Sequence, residues 1–102
     1  MNAGLRGQIK MANVVITIKI MPESPEIDLS AIEEEAKKKI AAFAGEGDVK
    51  AEQEPIAFGL KALKILFVMD ESKGSTEELE KDIAGVEGVN SVEVVDVRRA
   101  IG

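Results

Sequence analysis

Val14-Val15-Ile16-Thr17-Ile18-Lys19-Ile20 places Val14, Ile16, Ile18 and Ile20 on one parity and Val15, Thr17 and Lys19 on the other. Successive side chains of a strand point to opposite faces, so this is a strand with one buried face. Met21-Pro22-Glu23-Ser24-Pro25-Glu26 stops it, because proline has no N–H for a ladder and biases its predecessor away from helix. Gly59 opens a second strong strand, in which Leu63, Ile65, Phe67 and Met69 share one parity while Lys64, Leu66 and Val68 share the other. Two strands with one apolar face each need a cover, and the intervening segments supply it.

Asp28 is placed as an N-cap, and Leu29, Ile32, Ala36, Ile40 and Phe43 follow at spacings of three and four on one stripe of a helix ending near Gly45. On its outer face Glu33, Glu34 and Glu35 precede Lys37, Lys38 and Lys39 by four residues, and each such pair is worth about 0.2 to 0.5 kcal/mol in an isolated helix. The pairing accounts for the acids without a metal. Val49 to Gln53 reads as a polar edge strand, with Glu52 and Glu54 discouraging further pairing and Pro55 marking its end. The turn Asp70 to Gly74 leads into Ser75-Thr76-Glu77-Glu78, where Ser75 and Glu78 have capping-box spacing. Leu79, Ile83 and Val86 mark a short helix ended near Gly85 or Gly88, and Ser91 to Val97 forms a final strand.

Strand, helix, strand, strand, helix, strand in one small chain predicts an α+β ferredoxin-like βαββαβ sandwich, a four-stranded antiparallel sheet with two helices on one face. The apolar first and third strands should be central and the polar second strand an edge. Residues 1–10 carry Gly4, Arg6, Gly7 and Lys10 without a period and precede a second methionine, Met11. They read as a disordered leader or an alternative start, which leaves 11–102 as the single folded domain.

The 102 residues contain no His, Cys, Trp or Tyr. Thiolate nucleophiles, imidazole bases, Ser-His-Asp relays and nitrogen or sulfur zinc sites are therefore excluded. A net charge of −6, which becomes −8 without Arg6 and Lys10, argues against a broad nucleic-acid face. No apolar run approaches the ~20 residues of a spanning helix, and Met1 to Lys10 has no apolar signal core, so no membrane partner is expected. The lack of cysteine suits a cytoplasmic protein.

Gly45-Glu46-Gly47 fails as a dinucleotide loop, since residue 50 is Lys and the segment follows a helix. Lys73-Gly74-Ser75-Thr76 has the letters of a phosphate loop in the wrong order, with Met69 where a leading Gly belongs, so the chain is no nucleotide hydrolase. Asp70 and Glu71 lack the regular oxygen spacing of a calcium loop and read as turn residues. An RNA platform on such a sheet needs aromatics on the open face, and the only strand aromatic, Phe67, has the buried parity. No carboxylates converge for general acid and base work, so no enzyme is expected, and no cofactor or metal site.

Two features resist a purely structural reading. Phe58, in Pro55-Ile56-Ala57-Phe58-Gly59, has no periodic reason to be buried; it either folds back onto the core or anchors a partner. Arg98-Arg99 falls just after the last expected strand, where the two charges either aid solubility or reach into an acidic or phosphate-binding site.

Three blocks in register, residues 18–26 (Ile-Lys-Ile-Met-Pro-Glu-Ser-Pro-Glu), 54–64 (Glu-Pro-Ile-Ala-Phe-Gly-Leu-Lys-Ala-Leu-Lys) and 92–99 (Val-Glu-Val-Val-Asp-Val-Arg-Arg), resemble the archaeal elongation factor 1-beta family. The likeness runs from about Met11 to Ile101. It implies a guanine nucleotide exchange factor for the GTPase elongation factor 1-alpha, promoting GDP release and GTP reloading without covalent chemistry of its own. It also implies that Phe58, with Gly59, Lys61 and Lys64 of the same block, faces the GTPase's second domain. Arg99, beside Arg98, stands where eukaryotic relatives direct a lysine at the magnesium and phosphate site. The departure from lysine matters, because a planar guanidinium is not a compact ammonium. Three residues follow Arg99, where those relatives have about one.

The competing class is a ferredoxin-like regulatory module that binds a small ligand or dimerises through an open sheet face carrying Val15, Leu66, Val68, Val95 and Val97. A monomer or weak homodimer fits both readings.

Overall fold

The computed structural model describes residues 13–45, 47 and 49–100. The expected leader, 1–10, lies outside them. The chain runs β1 (Asn13–Pro22), α1 (Leu29–Ala44), β2 (Val49–Pro55), β3 (Lys61–Asp70), a 3-10 turn (Glu71–Lys73), α2 (Glu77–Ala84) and β4 (Val89–Ala100). The sheet order is β2-β3-β1-β4, antiparallel throughout, which is the expected ferredoxin-like α+β arrangement. β1 and β3 are central, as their apolar parity demands, and the polar β2 is an edge.

Ile16, Ile18 and Ile20 of β1 and Leu63, Ile65, Phe67 and Met69 of β3 form one buried layer. Leu29, Ile32, Ala36 and Ile40 of α1 and Leu79 and Ile83 of α2 close over it, with Phe43 and Val86 half-buried at its margin. Both helices thus cover one sheet face, and the opposite face is open.

Local chemistry sets the element ends. The Asp28 carboxylate accepts from the Ser30 N–H at 3.0 Å, so the expected cap holds α1. On the outer face of α1, Lys37 pairs with Glu33 at 2.8 Å, but Lys38 turns to Glu35 at 3.6 Å, three residues back. The expected set of three i,i+4 pairs is thereby corrected. Residues three and four apart are both neighbours on a helix, so a long lysine can choose either.

α2 also differs from expectation. It starts at Glu77, with Thr76 as the cap residue; the Ser75 hydroxyl accepts from the Glu77 N–H at 3.1 Å, and the Thr76 hydroxyl donates to Glu80 at 2.7 Å. The Ser75–Glu78 capping box is replaced by a hydroxyl–carboxylate pair one residue later. β3 begins at Lys61 because Gly59 belongs to the preceding turn, with φ of +77°. β4 runs from Val89 to Ala100, well beyond the expected Ser91 to Val97. At its start the Glu23 N–H donates to the Gly88 carbonyl at 2.9 Å. Gly88 has φ of +92°, and a Cβ there would sit 2.9 Å from Cγ2 of Ile27.

Candidate functional site

The β2–β3 connection is a tight turn. Ile56 N–H donates to the Leu60 carbonyl at 2.8 Å, and Leu60 N–H donates back to the Ala57 carbonyl at 3.1 Å. Phe58 and Gly59 are its two central residues, with φ of +59° and +77°. Two positive φ values are what a type I′ hairpin turn requires, because its twist matches that of the flanking strands. Gly suits such a position; a phenylalanine does not, since its Cβ crowds the following carbonyl at a cost of about 1–2 kcal/mol.

That turn leaves the Phe58 ring 94% exposed. The folded-back alternative is overturned: the ring stands off the end of the sheet, beside a part-exposed Ile56. A bulky residue held at positive φ, with its apolar surface in water, is unfavourable twice over, and such outliers concentrate where function holds them.

Lys61 is exposed at the first position of β3, paired with Pro55. Lys64 lies on the open face, where its ammonium meets Glu54 of β2 at 3.3 Å. In the ladders Lys64 is opposite Glu52 on one side and Lys19 on the other, and Lys19 is opposite Glu93. The open face therefore carries a row across all four strands with acids outside and lysines inside. Next to it, Lys50, Leu66 and Thr17 line a shallow depression of about 540 Å³.

Arg98 and Arg99 are the largest departure from expectation. Both lie within β4, opposite Val15 and Val14 of β1. The ladder is shifted between Thr17 and Ile18, whose partners are Asp96 and Val94, so Val95 is a bulge residue without a β1 partner. A bulge reverses the parity of everything beyond it. Val92 and Val94 pack on the core, yet beyond Val95 it is Val97 and Arg99 that share the helix side, opposite Ile16 and Val14. Val97, expected on the open face, is thus on the other one. There it is 58% exposed, past the cover of the helices.

The two arginines consequently face opposite ways. Arg98 is on the open face, its Nε 3.0 Å from Asp96. Arg99 is on the helix side, its Nη2 donating to Glu71 in the 3-10 turn. Glu71, a turn residue by sequence, is therefore also part of this end of the molecule. Nearby Val14, Met69, Gly74 and Val97 line a depression of about 300 Å³.

The expected partner-binding residues do not form one cluster. Phe58, Gly59 and Lys61 sit at one end of β3. Arg99, opposite Val14, which in turn is opposite Met69, sits at the other. From Lys61 to Met69 the strand spans roughly 27 Å at about 3.4 Å per residue. Lys64 lies on the open face between them. No three His, Cys, Asp or Glu side chains among the described residues gather into a group able to hold a metal ion, and among those residues no helix is long and apolar enough to cross a membrane.

Comparison with known proteins gives this geometry a context. The family described as the EF-1 guanine nucleotide exchange domain matches residues 15–100. Elongation factor 1-beta of Methanothermobacter thermautotrophicus is 47% identical over 89 residues, covering 87% of this chain and 98% of that protein. Those of Staphylothermus marinus and Sulfolobus acidocaldarius are 47% and 46% identical, covering 87% and 85% of this chain and 98% and 96% of theirs. A match that spans both ends of the sheet, from the Phe58 turn to the Arg99 strand end, shows that this chain belongs to the elongation factor 1-beta family of guanine nucleotide exchange factors of translation elongation.

Proposed function

We propose that this chain promotes GDP release and GTP reloading on elongation factor 1-alpha, gripping the GTPase with Phe58 and acting on its nucleotide site with Arg99. The observation that carries this is the two-ended arrangement: an exposed aromatic held in an unfavourable turn at one end and a cation at the other, with roughly 27 Å of β3 from Lys61 to Met69 between them. A partner that meets both must present two separated surfaces.

Exchange of this kind needs no bond made or broken by the factor. If the factor binds the nucleotide-free GTPase more tightly than the GDP-bound form, linkage requires that it weaken GDP by the same ratio. Each tenfold gain in release needs about 1.4 kcal/mol of interaction made more strongly as GDP departs than before. Phe58 supplies binding by burying its ring in an apolar pocket, a typical interface anchor. Arg99 supplies the differential part: its guanidinium competes for the oxygen atoms around the GTPase's magnesium and phosphates. Gly59 permits the turn, while Lys61, Lys64 and Arg98 flank the contact as longer-range cations. The chain acts as a monomer or weak homodimer in the cytoplasm, through residues 11–102, with no enzymatic step of its own.

The test is release of labelled GDP from elongation factor 1-alpha. Phe58→Ala should raise the factor concentration needed for half-maximal exchange, and Arg99→Ala should lower the maximal rate. Unchanged exchange in both variants would remove the two-ended reading.

A further inference from the structure

We propose that Glu71 is a positioning residue for Arg99: its carboxylate holds the guanidinium at the end of the sheet, so that the cation meets its target already placed. The proposal rests on the reading of Arg99 given above.

Both partners of the pair are anchored in the backbone. Arg99 is in the β1–β4 ladder opposite Val14, on the helix side because of the Val95 bulge. Glu71 begins the 3-10 turn where β3 ends. That turn is held by the Asp70 carboxylate, which accepts from the Ser72 N–H at 2.8 Å, and by the Gly74 N–H, which donates to the Glu71 carbonyl at 3.3 Å. Asp70 is opposite Asn13 and Met69 is opposite Val14, so the topology brings Glu71 beside a residue 28 positions later. An arginine on a free chain end would sample many rotamers; here the strand fixes its root and Glu71 its tip.

The contact also leaves the cation usable. Glu71 takes the Nη2 edge of the guanidinium. The group carries five N–H donors in a planar fork, so an oxygen on one nitrogen leaves the Nε and Nη1 donors for a second anion. The Arg99 side chain is 63% exposed and that of Glu71 43%, so the fork is presented to solvent. A carboxylate acting as a competitor would have to be displaced before Arg99 worked; one holding a single edge need not move.

Exposed pairs are weak, so the expected effect is a few-fold. In the labelled-GDP assay, Glu71→Ala should lower the maximal exchange rate roughly threefold to fivefold with the half-maximal factor concentration little changed. Glu71→Gln, which keeps an acceptor oxygen for Nη2, should recover more than half of the lost rate. In the Arg99→Ala background, Glu71→Ala should have no further effect. A rise in rate on Glu71→Ala, or an equal loss in both backgrounds, would overturn the positioning role while leaving Arg99 in place. Unchanged exchange in Arg99→Ala itself would instead overturn the reading of Arg99, and this proposal with it.

Discussion

Phe58 and Gly59 are neighbours in one turn, and both have left-handed backbones, φ of +59° and +77°, although only the glycine suits that region. Replacing Phe58 by Gly or Asn, residues that tolerate positive φ, should therefore stabilise the fold by up to about 1 kcal/mol in urea titration. The same variants should bind elongation factor 1-alpha more weakly. A gain in stability coupled to a loss of exchange identifies a residue kept for its partner; a loss of both would mean that the ring supports the turn.

The bulge at Val95 separates the fates of the two arginines. Because Arg98 faces the open side and Arg99 the helix side, they should not substitute for one another. Arg99→Ala should slow GDP release at least about tenfold, or about 1.4 kcal/mol, and Arg98→Ala less than about threefold. Neither should shift the urea midpoint by more than corresponds to about 1 kcal/mol, since both ion pairs are exposed. Equal losses of exchange from the two variants would contradict the assignment of faces.

Gly88 bears on the structure rather than the site. An alanine there would combine a φ of +92° with a Cβ 2.9 Å from Ile27, a side chain packed against the core. Gly88→Ala should cost about 2–4 kcal/mol in equilibrium unfolding, combining left-handed strain with overpacking. A change below 1 kcal/mol would show that Ile27 moves aside freely and the strand entry is tolerant.

Asp28 supplies the clearest capping test. Asp28→Ala removes the acceptor for the Ser30 N–H and should cost about 1 kcal/mol, whereas Asp28→Asn, which retains an oxygen, should cost only a few tenths. Comparable losses from both would point to the charge rather than the hydrogen bond.

The central strands were readable in advance because a period of two on one apolar face has few alternatives: Ile16, Ile18 and Ile20, and Leu63, Ile65, Phe67 and Met69, all lie where alternation puts them. The same rule failed at β4. Parity holds only until a residue is inserted without a partner, and nothing in Val94-Val95-Asp96-Val97 distinguishes a bulge from regular strand. Unbroken alternation therefore puts Val97 on the wrong face and the arginines beyond the strand, whereas the bulge brings both into β4. Phe58 was visible as an aromatic without a period, but its exposure depended on turn geometry. The Arg99–Glu71 pair joins residues 28 apart and follows from register, which no local pattern contains.

The irregular β4 has a further consequence for solubility. An edge strand offers unpaired backbone groups to any strand that can lie flat against it, and this one also exposes Val95 and Val97. Its two register shifts, one beside Thr17 and one beside Met21, bend that edge, and Glu93, Asp96, Arg98 and Arg99 stud it with charge. The opposite edge relies on Glu52, Glu54 and Pro55. The feature that turns Arg99 toward Glu71 therefore also makes the molecule a poor template for its own fibrils.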